Sequence, residues 1–395
     1  MAALVPHEPR RQRQGVALCL SGGGFRAAVL HLGALRRLNE LGILSQVDVI
    51  SSVSGGSIFA GHLTERIPIW PEPGDTLATW DEAVAAPFRT FVQCNRRTGP
   101  VLRRLMPGNW RRPATAIEAL VTVFQQELTS LTLSELPERP RFIFSATDMT
   151  FGANWIFARD RIGNFLAGYG SPPAEWTVAR AAAASSCFPP VFDPMPLHLE
   201  PHQLRGGTAR QPDRDELVSR LCLTDGGVYD NLGLEPVWKT AKIVLVSDGG
   251  APFGHESDPG VIRRLFRYTS IIGNQAAAVR KRWLIAALAT GRHEGAYWGV
   301  GSTTERHGVS GGYPLDLVTD VIAKVRTDFD AFSRAEIRVL ENHGYLMAGA
   351  AIQRRIPQLI RVHAPLVVPY PDWMDGERVR HALSGSDART FLGRW

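Results

Sequence analysis

An α/β fold built on a mainly parallel sheet is predicted by three features of this 395-residue sequence. Short continuous apolar runs, of the kind that fill a sheet covered on both faces, recur along the chain. The first two lead through glycine- or serine-rich turns into helical patterns, which is the repeating unit of a parallel sheet. Beyond residue 260 the pattern turns mostly helical.

Taken in order, residues 1–14 are polar, carry three arginines and lack an apolar stretch. A disordered basic tail is expected there, and no secretory signal is read. The run 16–20 reads as a strand. Residues 25–41 follow as a helix, with Val29, Leu32, Leu35 and Leu38 at near three-residue spacing and Gly42 at the left-handed C-cap. A strand at 47–51 and a helix from 57 complete the first βαβ unit. Prolines and arginines then crowd 68–140, which reads as a helical, lid-like insertion with helices near 80–94 and 114–128, because strands resume at 141–147 and 155–157. An alanine-rich helix at 178–186 ends in Cys187-Phe-Pro-Pro190. Strands at 221–224 and 242–247 each run into an Asp-Gly-Gly triplet. From 254 to 356 a mainly helical extension is expected, with helices at 261–288, 316–325 and 333–351 and a polar, glycine-rich loop at 293–312. Residues 15–395 are read as one domain.

Hydrophobic content of 44% and charged content of 21% fit a globular protein. No run of about 18 apolar residues appears, so no ordinary membrane span is expected. Cys19, Cys94, Cys187 and Cys222 show no CxxC spacing and read as small buried thiols in a reducing, cytoplasmic setting. The net charge of +6 permits anionic partners (phospholipid, nucleic acid or phosphorylated metabolite) without choosing among them.

The chemistry concentrates in the first βαβ unit. Gly22-Gly-Gly24 offers backbone N–H groups at a helix N-terminus, unobstructed by side chains. One crossover later comes Val47-Asp-Val-Ile-Ser-Ser-Val-Ser54-Gly-Gly56. A nucleophilic serine on a tight strand-to-helix turn needs small residues two before and two after it. Ser54 has Ser52 and Gly56 there, whereas Ser52 would have Ile50 and Ser57 would have Phe59. Donors for a developing negative charge followed by a nucleophile is the layout of a serine acyl hydrolase. Phosphate-binding loops are a poorer match, because the Gly-Lys-Ser/Thr ending and the dinucleotide glycine spacing are absent. Of eleven histidines, His31, His62 and His343 lie in helices and none follows a strand end. A carboxylate raised in pKa by burial could serve as base instead, and spacing does not separate Asp225 from Asp248.

The segments Ser-Gly-Gly-Gly-Phe-Arg-Ala (21–27), Ser-Val-Ser-Gly-Gly (52–56), Ala-Ala-Ala-Ala-Ser-Ser-Cys-Phe-Pro-Pro (181–190) and Thr-Asp-Gly-Gly-Val-Tyr-Asp-Asn (224–231) together resemble the patatin-like phospholipases. The Gly-Gly-Gly-Phe-Arg form is closer to the cytosolic phospholipase branch than to plant patatins. The resemblance covers residues 15–250 in order. It implies a three-layer α/β/α fold, a Ser54–Asp225 dyad without histidine or cofactor, and an oxyanion hole from Gly22, Gly23, Gly24 and Gly55. It further implies a substrate-phosphate or electrostatic role for Arg26. Ser52 departs from the usual glycine at that point of the turn.

The implied substrate is a lipid or phospholipid ester, met at a membrane surface. Residues 89–112 interleave seven arginines with Phe91, Val101, Leu102, Leu105, Met106 and Trp110 and suit an interfacial lid dipping into anionic headgroups. A second basic cluster, Arg263, Arg264, Arg267, Arg280, Lys281 and Arg282, has the same character. No metal-binding loop is read, and nucleic-acid binding would rest only on scattered arginines. The rival readings are a histidine-assisted esterase and a catalytically silent lipid-binding protein.

Overall fold

The computed structural model describes residues 12–106, 114–189, 191–210, 213–250, 252–253 and 260–388. The chain opens with β1 (Gln14–Leu20), α1 (Gly24–Glu40), β2 (Val49–Val53) and α2 (Gly55–Arg66), the βαβ unit expected from the first two apolar runs. Most of the expected basic tail, residues 1–11, lies outside the described residues.

Within 68–140, a π-helical turn at Asp81–Ala85 leads into α3 (Ala86–Val92), followed by α4 (Thr98–Leu105) and α5 (Thr115–Glu127). The interfacial face expected at 89–112 is not what its first half presents. Phe91 is buried, and the Arg89 guanidinium holds the buried Glu341 carboxylate with bonds of 2.9 and 2.7 Å. Arg96 pairs with Glu127 and Arg97 with Asp328. Arg89 and Arg97 thus tie the 68–140 segment to the body of the protein, while Arg96, between α3 and α4, links to α5 within it. Residues 107–113 lie outside the described residues.

Next come β3 (Arg141–Asp148), β4 (Ala153–Phe157), β5 (Ile162–Asn164), β6 (Gly168–Gly170), α6 (Val178–Ser185), β7 (Met195–Pro196) and α7 (Asp213–Val218). After them follow β8 (Cys222–Asp225), α8 (Gly227–Asp230), β9 (Ala241–Asp248) and the 29-residue α9 (Val261–Ala289). The last elements are β10 (Glu294–Gly299), α10 (Leu315–Asp320), α11 (Arg334–Arg355) and α12 (Gly376–Leu383).

The sheet runs β10-β9-β1-β2-β3-β4-β5-β6. The five strands from β10 to β3 are parallel, and β4 to β6 turn antiparallel. Alternation along β1 defines the layers. Val16, Leu18 and Leu20 face the core shared with α1, α2 and α11; Ala17 and Cys19 face Leu232, Leu234, Val237 and Leu284 of α9. The loop expected at 293–312 contains β10, which pairs with β9 and lengthens the sheet. Its glycines disguise it: at Gly295, φ is 151° and a Cβ would stand 2.0 Å from Val244 O, so only glycine fits that close pairing.

Helices α1 and α11 touch backbone to backbone. A Cβ at Gly33 would meet Glu341 O at 1.9 Å, and one at Gly344 would meet Leu30 O at 2.0 Å. Neither neighbour is a side chain that can rotate away. Gly344→Ala is therefore expected to lower stability by about 1–3 kcal/mol through overpacking. An unchanged urea midpoint would contradict this contact.

Candidate active site

Two turns at the C-terminal edge of the sheet interlock. The first follows β1, where Gly23 (φ 139°) and Gly24 (φ 58°) adopt a backbone that L side chains rarely accept. The second follows β2, where Ser54 sits at φ 49° and ψ −118°, a strained conformation for serine that turns the strand directly into α2. Backbone meets backbone between them. A Cβ at Gly55 would stand 2.1 Å from Gly24 O, and one at Gly56 would stand 2.3 Å from Leu20 O.

A serine network holds the second turn from below. The Ser54 N–H donates to Ser185 Oγ at 2.9 Å, and the Ser185 hydroxyl donates to Ser145 O at 2.6 Å. Ser57 Oγ lies 2.8 Å from Ser185 Oγ and 3.0 Å from Ser52 Oγ. Ser52 in turn donates to Ile143 O at 3.2 Å. Serine thus fits where glycine is usual, because β3 and α2 satisfy its hydroxyl. Ser185 stands out from no spacing rule; its position in the alanine-rich segment 181–190 was the sole signal.

Strand register brings the carboxylate in. Val53, the last residue of β2, pairs with Ser145 of β3. Asp225, the last residue of β8, pairs antiparallel with Ala146, the next residue along. The two strands run head-on against β3, so the residue after Val53 meets the end of β8. Asp225 Oδ1 accepts from the Gly227 N–H at 2.7 Å. The Ser54 hydroxyl interacts with the carboxylate, yet no full hydrogen bond closes on the buried Oδ2. Burial pushes the Asp225 carboxyl up to about 6, against the pull of Ser54 and the Gly227 N–H.

Asp248 has the opposite surroundings. Burial favours its neutral form, but Lys281 Nζ at 2.6 Å, Tyr297 OH at 2.7 Å and the Gly250 N–H at 2.9 Å hold it below the usual carboxylate range. The two Asp-Gly-Gly triplets, alike in sequence, are thus separated by their neighbours.

Of the four glycines expected to donate, Gly22 does not, because its N–H is taken by Asn231 O at 3.0 Å. Among the described residues, the N–H groups of Gly23, Gly24 and Gly55 have no protein acceptor. Gly24 opens α1 and Gly55 opens α2, so two helix N-termini, each favouring negative charge, converge beside Ser54. Asn231, a residue the pattern analysis left without a role, wedges its side-chain amide between the turns. Its Oδ1 lies 2.3 Å from where a Gly22 Cβ would be and 2.6 Å from a Gly227 Cβ.

Arg26 is not exposed to this site. It is 1% exposed, and its Nε and Nη2 donate to Gly249 O at 3.1 and 2.8 Å. Nη1 donates to Ala323 O and Val325 O at 2.9 and 2.8 Å. The guanidinium clamps backbone that presses on the glycine turn, since a Cβ at Gly23 would lie 2.5 Å from Gly249 O. The histidines are also engaged elsewhere. His31 bridges Ser247 Oγ and Ser21 O, His62 reaches Val84 O and His343 reaches Val300 O. Burial lowers all three to about 4. Phe188 and Val191, which follow Ser185 in the chain, and Val228, which follows Asp225, are exposed. Among the described residues, no three His, Cys, Asp or Glu side chains converge as metal ligands would, and no helix is long and apolar enough to cross a membrane.

Human GIVD cytosolic phospholipase A2 superposes with a TM-score of 0.45 at 14% identity, over 94% of this chain and 62% of that one. The same human enzyme with methyl gamma-linolenyl fluorophosphonate inhibitor and terbium chloride gives 0.47 at 15% identity, over 88% and 59%. VipD from Legionella pneumophila gives 0.38 at 12%, over 89% and 67%. The chain spans about three fifths of the human phospholipase chains it matches. No curated protein matches the sequence. Residues 18–238, more than half of the chain and including both interlocked turns and Asp225, match the family described as Patatin-like phospholipase. The chain belongs to the patatin-like phospholipase family.

Proposed function

We propose that the protein is a serine acyl hydrolase of lipid esters, with Ser54 as nucleophile and Asp225 as its base. The observation that carries this reading is the head-on meeting of β2 and β8 on successive residues of β3, next to three backbone amides without acceptors. In the first step, Ser54 Oγ bonds to the ester carbonyl carbon while its proton passes to the Asp225 carboxylate. The carbonyl oxygen becomes an oxyanion held by the N–H groups of Gly23, Gly24 and Gly55. Collapse breaks the bond to the leaving alcohol, which takes the proton back from Asp225. Water then attacks the acyl-serine with Asp225 again as base, releasing the fatty acid and restoring both side chains.

A base with a pKa near 6 is ionised at neutral pH yet basic enough to accept a proton in the transition state. The exposed apolar side chains of Phe188, Val191 and Val228 suit an acyl chain. Arg26 enters this reading as a positioning residue that braces the oxyanion turn through Gly249, in place of the phosphate contact expected from the motif.

Turnover of a soluble short-chain ester should fall at least about 10³-fold in Ser54→Ala and in Asp225→Asn. The wild-type kcat/KM should rise with pH to a plateau, with an apparent pKa near 6. Activity surviving both substitutions would sink the assignment. For Arg26→Lys, a positioning role predicts the same fractional loss of kcat on a neutral ester and on a phospholipid, with KM little changed. A KM rise confined to the phospholipid would restore the phosphate-clamp reading.

The raised pKa also makes a stability prediction. Below about pH 4 the carboxyl is protonated in both the folded and unfolded states and has no effect. As pH rises to 6, only the unfolded state ionises, so a penalty builds to about 3 kcal/mol and stays constant above. Asp225→Asn should therefore be the more stable protein at pH 8, with its advantage vanishing at pH 4. Equal thermal midpoints at pH 8 would mean the carboxylate is not desolvated.

A further inference from the structure

Asn231 caps the C-terminus of α8 and stands among three turns. The turns after β1, β8 and β9 each bring one glycine against its side-chain amide. A Cβ at Gly22 would lie 2.3 Å from Asn231 Oδ1, and one at Gly227 would lie 2.6 Å from the same oxygen. A Cβ at Gly250 would lie 2.9 Å from Asn231 Nδ2. None of these three glycines has a left-handed backbone, so the amide, and not the turn, excludes a side chain there. The Asn231 main-chain oxygen is occupied by the Gly22 N–H at 3.0 Å. Its half-buried side-chain amide has no hydrogen-bond partner among the described residues, and neither amide atom is sealed from solvent.

The amide is a directed group. Its nitrogen lies toward Asp248, whose Oδ1 is also 2.9 Å from the Gly250 Cβ position, and Lys281 and Tyr297 keep Asp248 ionised. An anion draws the N–H end toward itself and leaves Oδ1 turned to the reacting pair. Asp225 Oδ1 is 3.0 Å from the Gly227 Cβ position, and Ser54 Cβ is 3.1 Å from the Gly22 Cβ position. An acceptor thus stands beside Ser54 and Asp225. An oxyanion has no use for an acceptor, and neither has an ester oxygen, which carries no proton. The hydrolytic water does, because only one of its two protons goes to the base.

We propose that Asn231 is a further catalytic residue, whose Oδ1 holds the water that cleaves the acyl-serine while Asp225 takes that water's other proton. This role rests on the serine-hydrolase reading of Ser54 and Asp225. The water oxygen bonds to the acyl carbonyl carbon as one water proton passes to Asp225. The bond from that carbon to Ser54 Oγ then breaks, its electron pair returns to Oγ, and Asp225 gives the proton back there. The second water proton stays on the released acid and is hydrogen-bonded to Asn231 Oδ1 throughout.

The full chain is tested with p-nitrophenyl butyrate, whose leaving group needs no proton. In Asn231→Ala, kcat and KM should fall together by about tenfold, because slow deacylation lowers both. A burst of p-nitrophenol should precede the steady state, and the intact mass should show one butyryl group per chain. Added methanol supplies a second readout, since its single hydroxyl proton goes to Asp225 and it needs no further acceptor. The ratio of methyl butyrate to butyric acid should rise about fivefold over wild type in Asn231→Ala, the worth of one lost hydrogen bond. Asn231→Asp keeps the shape and the acceptor, so its product ratio should match wild type. Its new carboxylate faces Asp225 and Asp248, with Lys281 and Arg280 already paired to Asp248 and Asp230. The rising limb of its kcat/KM should therefore move up by about one pH unit.

A wild-type product ratio in Asn231→Ala, or a fall in kcat with KM unchanged, would overturn the proposal. So would an Asn231→Asp variant with an unmoved pH profile or with the product ratio of Asn231→Ala. Each of these results leaves hydrolysis through Ser54 standing. Wild-type turnover no greater than that of Ser54→Ala would remove the hydrolase reading and the water site with it.

Discussion

The site depends on how β3 shares its length between two partners on the same side. Its residues 141–145 hold β2 in parallel, and its residues 146–148 hold β8 antiparallel. Because backbone ladders fix register to a single residue, the gap between the ends of β2 and β8 is set by one step of β3. No flexible loop intervenes. Ser54 stands between the end of β2 and the start of α2, and Asp225 ends β8 one residue ahead of the start of α8 at Gly227. Rigid elements of this kind hold a side-chain pair more closely than loops do.

Electrostatics then separates groups that look alike. Asp225 and Asp248 are both buried strand-end aspartates followed by two glycines. Lys281 arrives from α9 to neutralise Asp248, while Asp225 has a hydroxyl and one amide. A buried carboxylate with a cation beside it is a structural ion; one without it is held near its titration point. The same contrast explains Arg26. Its charge is buried, and several carbonyl oxygens satisfy it.

Much of this was legible in the sequence because it follows from local sterics. The tolerance of a tight turn for small residues isolates Ser54, and the glycine run marks the amide donors. Apolar runs gave the central strands to within a few residues. What the pattern misread depends on distant partners. Arg89 and Phe91 have the composition of an interfacial face, but Glu341 and the aromatic core claim them. β10 reads as a loop because its glycines answer to β9, a constraint local patterning does not carry. Nothing near Asp225 or Asp248 in the chain reveals which will meet Lys281.

The clamp on the first glycine turn reaches across almost the whole chain. Arg26 bonds Val325, 299 positions away, and Gly24 nests against Thr327. The segment that carries the family's signature thus lacks the carbonyls that seat its own glycine turn. During synthesis, Ser54 and Asp225 emerge from the ribosome long before that seat exists. A nascent chain stalled short of residue 330 therefore holds both side chains without the backbone that seats the glycine turn beside them.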